Sequence, residues 1–340
     1  MTKQNDKILL AHGGGGRLMA ELIAKTIGPA VYGKMPQALA DAAGVNIDGR
    51  EILFTTDSFV VKPLFFPGGD IGRLSICGTV NDLAVCGAKP IVMSLALIIE
   101  EGFAVSDLEK ILRSIGKTAK EAGVAIVTGD TKVVEKGAAD GIFINTAGIG
   151  IPKKGIALGF DRIEPGDVIL INGTLGDHGM TVMSQRQELM IQSPLQSDCA
   201  CLHEITGLLL DQLGSKVKFM RDPTRGGIAA VTNEIVQSCG CGVELWEENL
   251  PVNPAVKAAA DILGFDILNI ANEGKFIAVV SADAEQKALD ILRNHPLGKK
   301  AARIGTVGPK QSRSLVELVT SIGGRRIVQM PYGVELPRIC

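Results

Sequence analysis

Three aspartates occupy short polar motifs set into apolar stretches: Thr56-Asp57-Ser58, Thr79-Val80-Asn81-Asp82-Leu83 and Gly129-Asp130-Thr131-Lys132. Carboxylates delivered from separate elements are the hard oxygen ligands that Mg2+ takes, and Mg2+ commonly holds substrate phosphates as well. Asp82 falls in the last turn of an apolar helical pattern, where the negative helix end disfavours a carboxylate unless a cation lies close. Gly13-Gly14-Gly15-Gly16 follows His12 and leads into an amphipathic stretch with Leu18, Leu22 and Ile23. Free backbone amides at such a helix start make an anion cradle. Arg221-Asp222-Pro223-Thr224-Arg225-Gly226-Gly227 places polar groups and glycines before a second helix, which suits phosphate or ribose. Asn272-Glu273-Gly274 precedes a strand, and Glu273 there is a candidate general base. His178, between Asp177 and Gly179 in a glycine-rich turn, reads as a polar site residue. The chain ends Pro337-Arg338-Ile339-Cys340. A thiol on the mobile end of a chain can carry a group from one site to another. It is no prenylation signal, because that box needs three residues after the cysteine.

Alternating elements position these residues. Glu51 to Thr56 reads as a strand ending at Asp57, and Asp70 to Cys86 as a helix stopped by Gly87. Ile91 to Ile99 is a buried strand. Ser106-Asp107-Leu108-Glu109 has the form of a capping box ahead of the stripe Leu108, Ile111, Leu112 and Ile115. Val124 to Thr128 is a short strand running into Gly129-Asp130, and Ile142 to Ile151 another. Ile151-Pro152-Lys153-Lys154-Gly155 marks a break between halves. Beyond it come a strand at Asp167 to Asn172, helices at 200–213, 226–238 and 284–294, and strands at 243–247 and 275–281. Such alternation predicts an α/β (α+β) protein of sheet-plus-helix layers in two halves. The expected units are 1–152, 153–330 and a flexible tail over 331–340.

Composition narrows the class. A chain of 340 residues with 46% apolar and 21% charged residues is large enough for two ordinary domains. Net charge is −2 with no basic block, so no electrostatic footprint for nucleic acid exists, and 4% aromatics is too little for base stacking along a strand. The longest apolar run, Ile91 to Ile99, falls well short of a membrane span. The polar start Met1 to Lys7 has no signal-peptide core, so a reducing cytoplasm with free thiols is expected. Cys199/Cys201 and Cys239/Cys241 are spaced by one residue rather than the two to four of zinc knuckles, so small buried thiols are expected there. Both familiar nucleotide motifs fail. The four glycines lack the Rossmann context, and Gly116-Lys117-Thr118 sits mid-helix with Ile at 111 instead of the Walker glycine.

Together, end to end, the motifs resemble the PurM-like ATP-binding superfamily of aminoimidazole ribonucleotide (AIR) synthetase, selenophosphate synthetase and thiamine-monophosphate kinase. Within it they resemble the HypE family of [NiFe]-hydrogenase maturation. The aspartate motifs, Phe66-Pro67-Gly68-Gly69-Asp70 and Asp222-Pro223-Thr224-Arg225-Gly226-Gly227 carry the first likeness, and the Pro337-Arg338-Ile339-Cys340 tail the second. The resemblance implies a homodimer with a barrel-like core of paired sheets and an N-terminal ATP site shared across the dimer. It also implies a carbamoyl group delivered to Cys340 by HypF, dehydration of that S-carboxamide to a thiocyanate, and passage of cyanide to iron on HypC–HypD. ATP would be bound by Gly13, Gly14, Gly15, Gly16, Asp57, Asn81, Asp82, Gly129, Asp130, Thr131, Asp222 and Arg225. Mg2+ would be held by Asp57, Asp82 and Asp130. Phosphoryl transfer to the carbonyl oxygen creates the leaving group that amide dehydration needs, and it depends on positioning and charge neutralisation. Lys132 would neutralise charge, and Glu273 or His178 would take the proton, with Glu273 preferred. Two other readings share the aspartates. A selenophosphate synthetase or thiamine-monophosphate kinase would need no terminal thiol, and the former would carry its reactive residue near the N-terminus, yet the first of seven cysteines is Cys77. An ATP-sensing adaptor would show no ATP turnover dependent on carbamoylated Cys340.

Overall fold

A computed structural model describes residues 7–32, 40–186, 195–311, 313–333 and 338–340. The polar start Met1 to Asp6 and Pro337 of the tail motif lie outside the described residues. The first half builds one sheet from β1 (Ala43–Ile47), β2 (Arg50–Phe59), β3 (Ala88–Glu100), β4 (Ala125–Val134) and β5 (Ile142–Pro152). Their order is β1-β2-β5-β3-β4, antiparallel except for the parallel pair β3–β4. Helices α1 (Ile71–Val85) and α2 (Val105–Glu121) cover one face. Asp70 caps α1, its carboxylate accepting from the amides of Gly72 at 2.7 Å and Arg73 at 3.0 Å. Nearly every α1 residue is buried, so this helix is the centre of the half rather than a surface layer.

Both aspartates expected just after strands lie within them. Ladder bonding of β2 to β5 runs on through Phe59 opposite Ile144, which keeps Asp57 in β2. Likewise β4 stays paired with β3 as far as Val134, which keeps Asp130 in β4. The capping box is not formed: α2 starts a residue earlier than Ser106, with Ala104 at the cap.

A second sheet of seven strands follows: β6 (Val168–Ile171), β7 (Val217–Arg221), β8 (Cys241–Trp246), β9 (Ile277–Val280), β10 (Ala302–Lys310), β11 (Val316–Val319) and β12 (Arg325–Ile327). The order is β12-β11-β8-β10-β6-β9-β7. Alternate residues of β6 and β9 feed two different cores, Ile169, Ile171, Ile277 and Val279 into one, Val168, Leu170, Ala278 and Val280 into the other. This sheet is therefore covered on both faces, by α4 (His203–Leu213) and α7 (Glu285–Asn294) on one and α5 (Gly227–Cys239) on the other, while α3 (Asp177–Arg186) and α6 (Pro254–Leu263) pack on each other beside it. His178 opens α3 instead of sitting in a turn. The core beneath α1 also takes in Val182, Met183, Cys199, Ala271 and Ile339, so the two halves and the chain end share one apolar cluster. Among the described residues no helix is long and apolar enough to cross a membrane.

Candidate active site

A cavity of about 760 Å3 opens between the two sheets. Asp57 from β2, Asp82 from α1, Asp222 and Arg225 from the loop after β7, Glu273 from the loop before β9 and Cys340 from the chain end all line it. One ligand oxygen from each of Asp41, Asp82 and Asp222 lies within 4.8 Å of the others. Thr55 bridges two of these residues, its hydroxyl donating to Asp82 Oδ2 at 2.9 Å and lying 2.7 Å from the Asp41 carbonyl. Arg221 Nε holds the Asp41 carboxylate at 3.1 Å.

Crowding carboxylates in a poorly solvated place raises their proton affinity. Burial, then the neighbouring Asp222, Asp41 and Asp57, push Asp82 well above the usual carboxylate range. Burial and Asp41 push Asp222 up to about 8 against the pull of Arg221. Burial also raises Asp57, with Arg225 opposing. Three oxygens this close, on acids that resist ionising together, make a donor set that fits a small divalent cation. It is not the predicted set. Asp82 belongs to both, Asp57 lines the cavity outside the close trio, and Asp222 joins the trio.

Asp130 stands apart from the cavity of its own chain. It sits exposed on edge strand β4, ion-paired to Lys132 at 2.8 Å, and lines neither this cavity nor its smaller neighbour within one chain. The same holds for Gly129, Thr131 and Lys132, because β4 lies at the far edge of its sheet. Asn81 is engaged within the protein. Its amide donates to the carbonyls of Ala200 at 3.0 Å and Glu273 at 3.1 Å and its oxygen accepts from Leu202 N at 2.7 Å. Asn81 therefore ties α1 to the Glu273 loop.

The four glycines divide by position. Gly13 and Gly14 line the smaller cavity of about 140 Å3, and Gly15 lines the larger one. Gly16 lines neither: a Cβ there would stand 2.2 Å from the Pro331 carbonyl oxygen. The amides of Arg17 and Leu18 at the following helix start donate to the carbonyls of Pro331 at 2.8 Å and Tyr332 at 3.0 Å. Those two donors of the expected anion cradle are thus engaged by the chain itself.

Glu273 is buried, and its Oε1 has no hydrogen-bond partner. Burial first, then Asp222, Asp198 and Asp57, raise its proton affinity strongly. Its backbone is pinned from both sides, N to Asp198 Oδ1 at 3.2 Å and O to Asn81. His178 is fully buried, with Nδ1 2.8 Å from Ser197 Oγ and Nε2 2.8 Å from the Ile339 carbonyl oxygen.

The expected mobile tail is docked at its tip. Val60 N donates to the Cys340 carbonyl at 3.1 Å, Lys62 N to that of Arg338 at 3.2 Å, and Ile339 is buried. Cys340 lines both cavities. Burial pushes its thiol up to about 12, while Arg225 pulls the other way. Sequence reasoning missed Asp41, which lies in Leu39-Ala40-Asp41-Ala42 with no motif around it. Only its approach to Arg221, far away in sequence, marks it.

Two sheet-plus-helix units meeting at a carboxylate-lined cavity are the architecture of AIR-synthase-related proteins. The model of the AIR synthase related N-terminal domain matches residues 39–152, and that of the C-terminal domain matches residues 164–317. A carbamoyl dehydratase HypE from Bradyrhizobium diazoefficiens is 47% identical over 99% of this chain and 97% of its own. Among solved structures, a HypE–HypF complex aligns with TM-score 0.86 at 50% identity, covering 91% of this chain and 99% of that one. A HypE bound to ATP aligns with TM-score 0.82 at 42% identity, covering 98% and 100%. This chain belongs to the HypE family of carbamoyl dehydratases.

Proposed function

We infer that the protein uses ATP to dehydrate a carbamoyl group carried on Cys340, giving the thiocyanate that supplies cyanide for hydrogenase iron. The observation that carries this reading is the placement of the Cys340 thiol on the wall of the carboxylate-lined cavity. In balance, the carboxamide oxygen takes the γ-phosphoryl group and leaves as phosphate. Both N–H protons are lost, a C≡N bond remains on sulfur, and ADP is released.

The roles of individual residues are part of the proposal. Asp41, Asp82 and Asp222 would hold Mg2+, with Asp57 beside them, and the ion would supply neutralisation of phosphate charge. Arg225, facing Cys340, Asp57 and Glu273, steadies negative charge on the transferred group. Glu273 is the proton acceptor in preference to His178. Its oxygen is unpartnered and, once ionised, strongly basic, whereas both ring nitrogens of His178 are engaged.

A thiol held at about 12 is protonated at neutral pH and a poor nucleophile, so Cys340 receives its carbamoyl group undocked, on a HypF-type carbamoyltransferase. The product passes to iron on a HypC–HypD complex, all in the cytoplasm. The functional units are 1–152 for ATP binding and dimerisation, 153–330 as support, and 331–340 as the carrier tail. Dimerisation is favoured by the uncovered face of the first sheet, which exposes Ile47, Phe54, Ile98 and Val127. A second copy would bring Gly129, Asp130, Thr131 and Lys132 to the nucleotide.

The direct test is mass spectrometry of the C-terminal peptide after carbamoylation and addition of ATP. The expected result is gain of a carbamoyl group followed by loss of one water. A carbamoylated peptide that persists with ATP and Mg2+ present would refute the reading.

A further inference from the structure

We propose that His178, oriented by Ser197, is a positioning residue that sets where the Cys340 sulfur sits in the cavity. This rests on the reading of Cys340 as the carrier thiol. A carbonyl oxygen only accepts, so His178 Nε2 carries the proton in its 2.8 Å contact with Ile339 O. Nδ1 is then the acceptor from the Ser197 hydroxyl at 2.8 Å, and that hydroxyl's oxygen in turn accepts from Cys199 N at 3.1 Å. The ring is further fixed edge-on to Phe66, at 5.4 Å between centroids and 85° between planes. The plane of His178 is therefore set before the tail arrives, and the docked tail selects the Nε2–H tautomer.

The carbonyl it grips belongs to the peptide bond joining Ile339 to Cys340, so the grip fixes the dihedrals that aim the thiol. The remaining contacts to the backbone of the tip come from Val60 and Lys62, just past β2, and from Arg186 of α3, whose guanidinium donates to the Arg338 carbonyl. His178 comes from a helix of the second half and closes on the tip from that side. Neither nitrogen faces the reacting sulfur, and its action is through Ile339.

The test compares full-length wild type with His178→Leu, His178→Gln and Ser197→Ala. Iodoacetamide modification of Cys340 is followed by mass spectrometry without a carbamoyl donor, and the buried Cys77 peptide is the internal control. Leucine speeds Cys340 modification about five- to tenfold, the factor one net hydrogen bond supplies, and leaves Cys77 slow. Glutamine, whose amide can donate to Ile339 O, restores the wild-type rate. On carbamoylated protein the leucine variant slows single-turnover dehydration by a similar factor with ATP affinity unchanged. A folded leucine variant with wild-type Cys340 modification overturns the proposal, as does equal acceleration at Cys77. If the leucine variant does not fold, Ser197→Ala decides: faster Cys340 modification supports the positioning role, and an unchanged rate overturns it. Modification that responds as expected while wild type forms no thiocyanate refutes the carrier reading and leaves the docking intact.

Discussion

The side chains that converge on the cavity share one electrostatic condition: acids are packed more tightly than water alone would allow. For Asp222 the folded-state pKa of about 8 lies far above that of an unfolded aspartate. The folded chain thus holds a proton that the unfolded chain has already lost between roughly pH 4 and 8. The contribution of this group to stability is greatest in acid and is lost as pH rises through its folded pKa. Asp222→Asn should therefore raise the melting temperature of the cation-free protein by several degrees at pH 8.5 and leave it nearly unchanged at pH 5. Calorimetry at the two values checks this. With ATP and Mg2+ the same substitution should reduce dehydration at least about a hundredfold, in line with loss of a charge-neutralising group. Cys340→Ser gives a different signature: nucleotide binding is kept, measured by calorimetric titration, and no thiocyanate forms.

Elements bring these residues together through close backbone approaches. Glu273 is held where it is because Gly274 packs against the 198–200 segment. A Cβ on Gly274 would stand 1.8 Å from the Asp198 carbonyl oxygen, so the two segments must part to admit one. Gly274→Ala should cost about 2 kcal/mol or more of stability and should lower the dehydration rate further than residual unfolding explains. Denaturant unfolding and activity on the same preparation separate the two effects. Helix α1 works similarly. It carries Asp82 into the cavity on one turn and, through Asn81, grips the Glu273 loop on the same turn. Asparagine and aspartate side by side thus face different ways, Asn81 into the anchoring of that loop and Asp82 onto the cavity wall.

At the scale of the whole molecule, one chain carries Cys340 in its own cavity but leaves the Gly129-Asp130-Thr131-Lys132 motif on an open sheet edge. Val127 on that strand is 62% exposed, far more than an apolar residue in a finished core. Val127→Glu should convert a dimer to a monomer in sedimentation analysis and abolish dehydration. A mixing experiment tests how the motif is used. Asp130→Asn and Cys340→Ser chains should each be inactive alone. Combined, they should recover about a quarter of wild-type activity, because half the dimers are mixed and each holds one intact site. No recovery on mixing would place motif and tail in the same subunit's site.

Local chemistry made much of this legible in advance. Asp57, Asp82, Asp222, Arg225, Glu273 and Cys340 were singled out because residue type, spacing and flanking glycines are properties of short segments, and all six line the cavity. The alternation of strand and helix was equally visible because periodicity is local. Tertiary packing decided which oxygens become neighbours. It drew in Asp41 through Arg221, turned Asn81 and Gly16 to structural duty, and engaged the amides of Arg17 and Leu18 with residues 331–332. It also seated the chain end against β2 instead of leaving it free. Each of those outcomes depends on contacts between segments tens to hundreds of residues apart, whose geometry no short stretch of sequence contains.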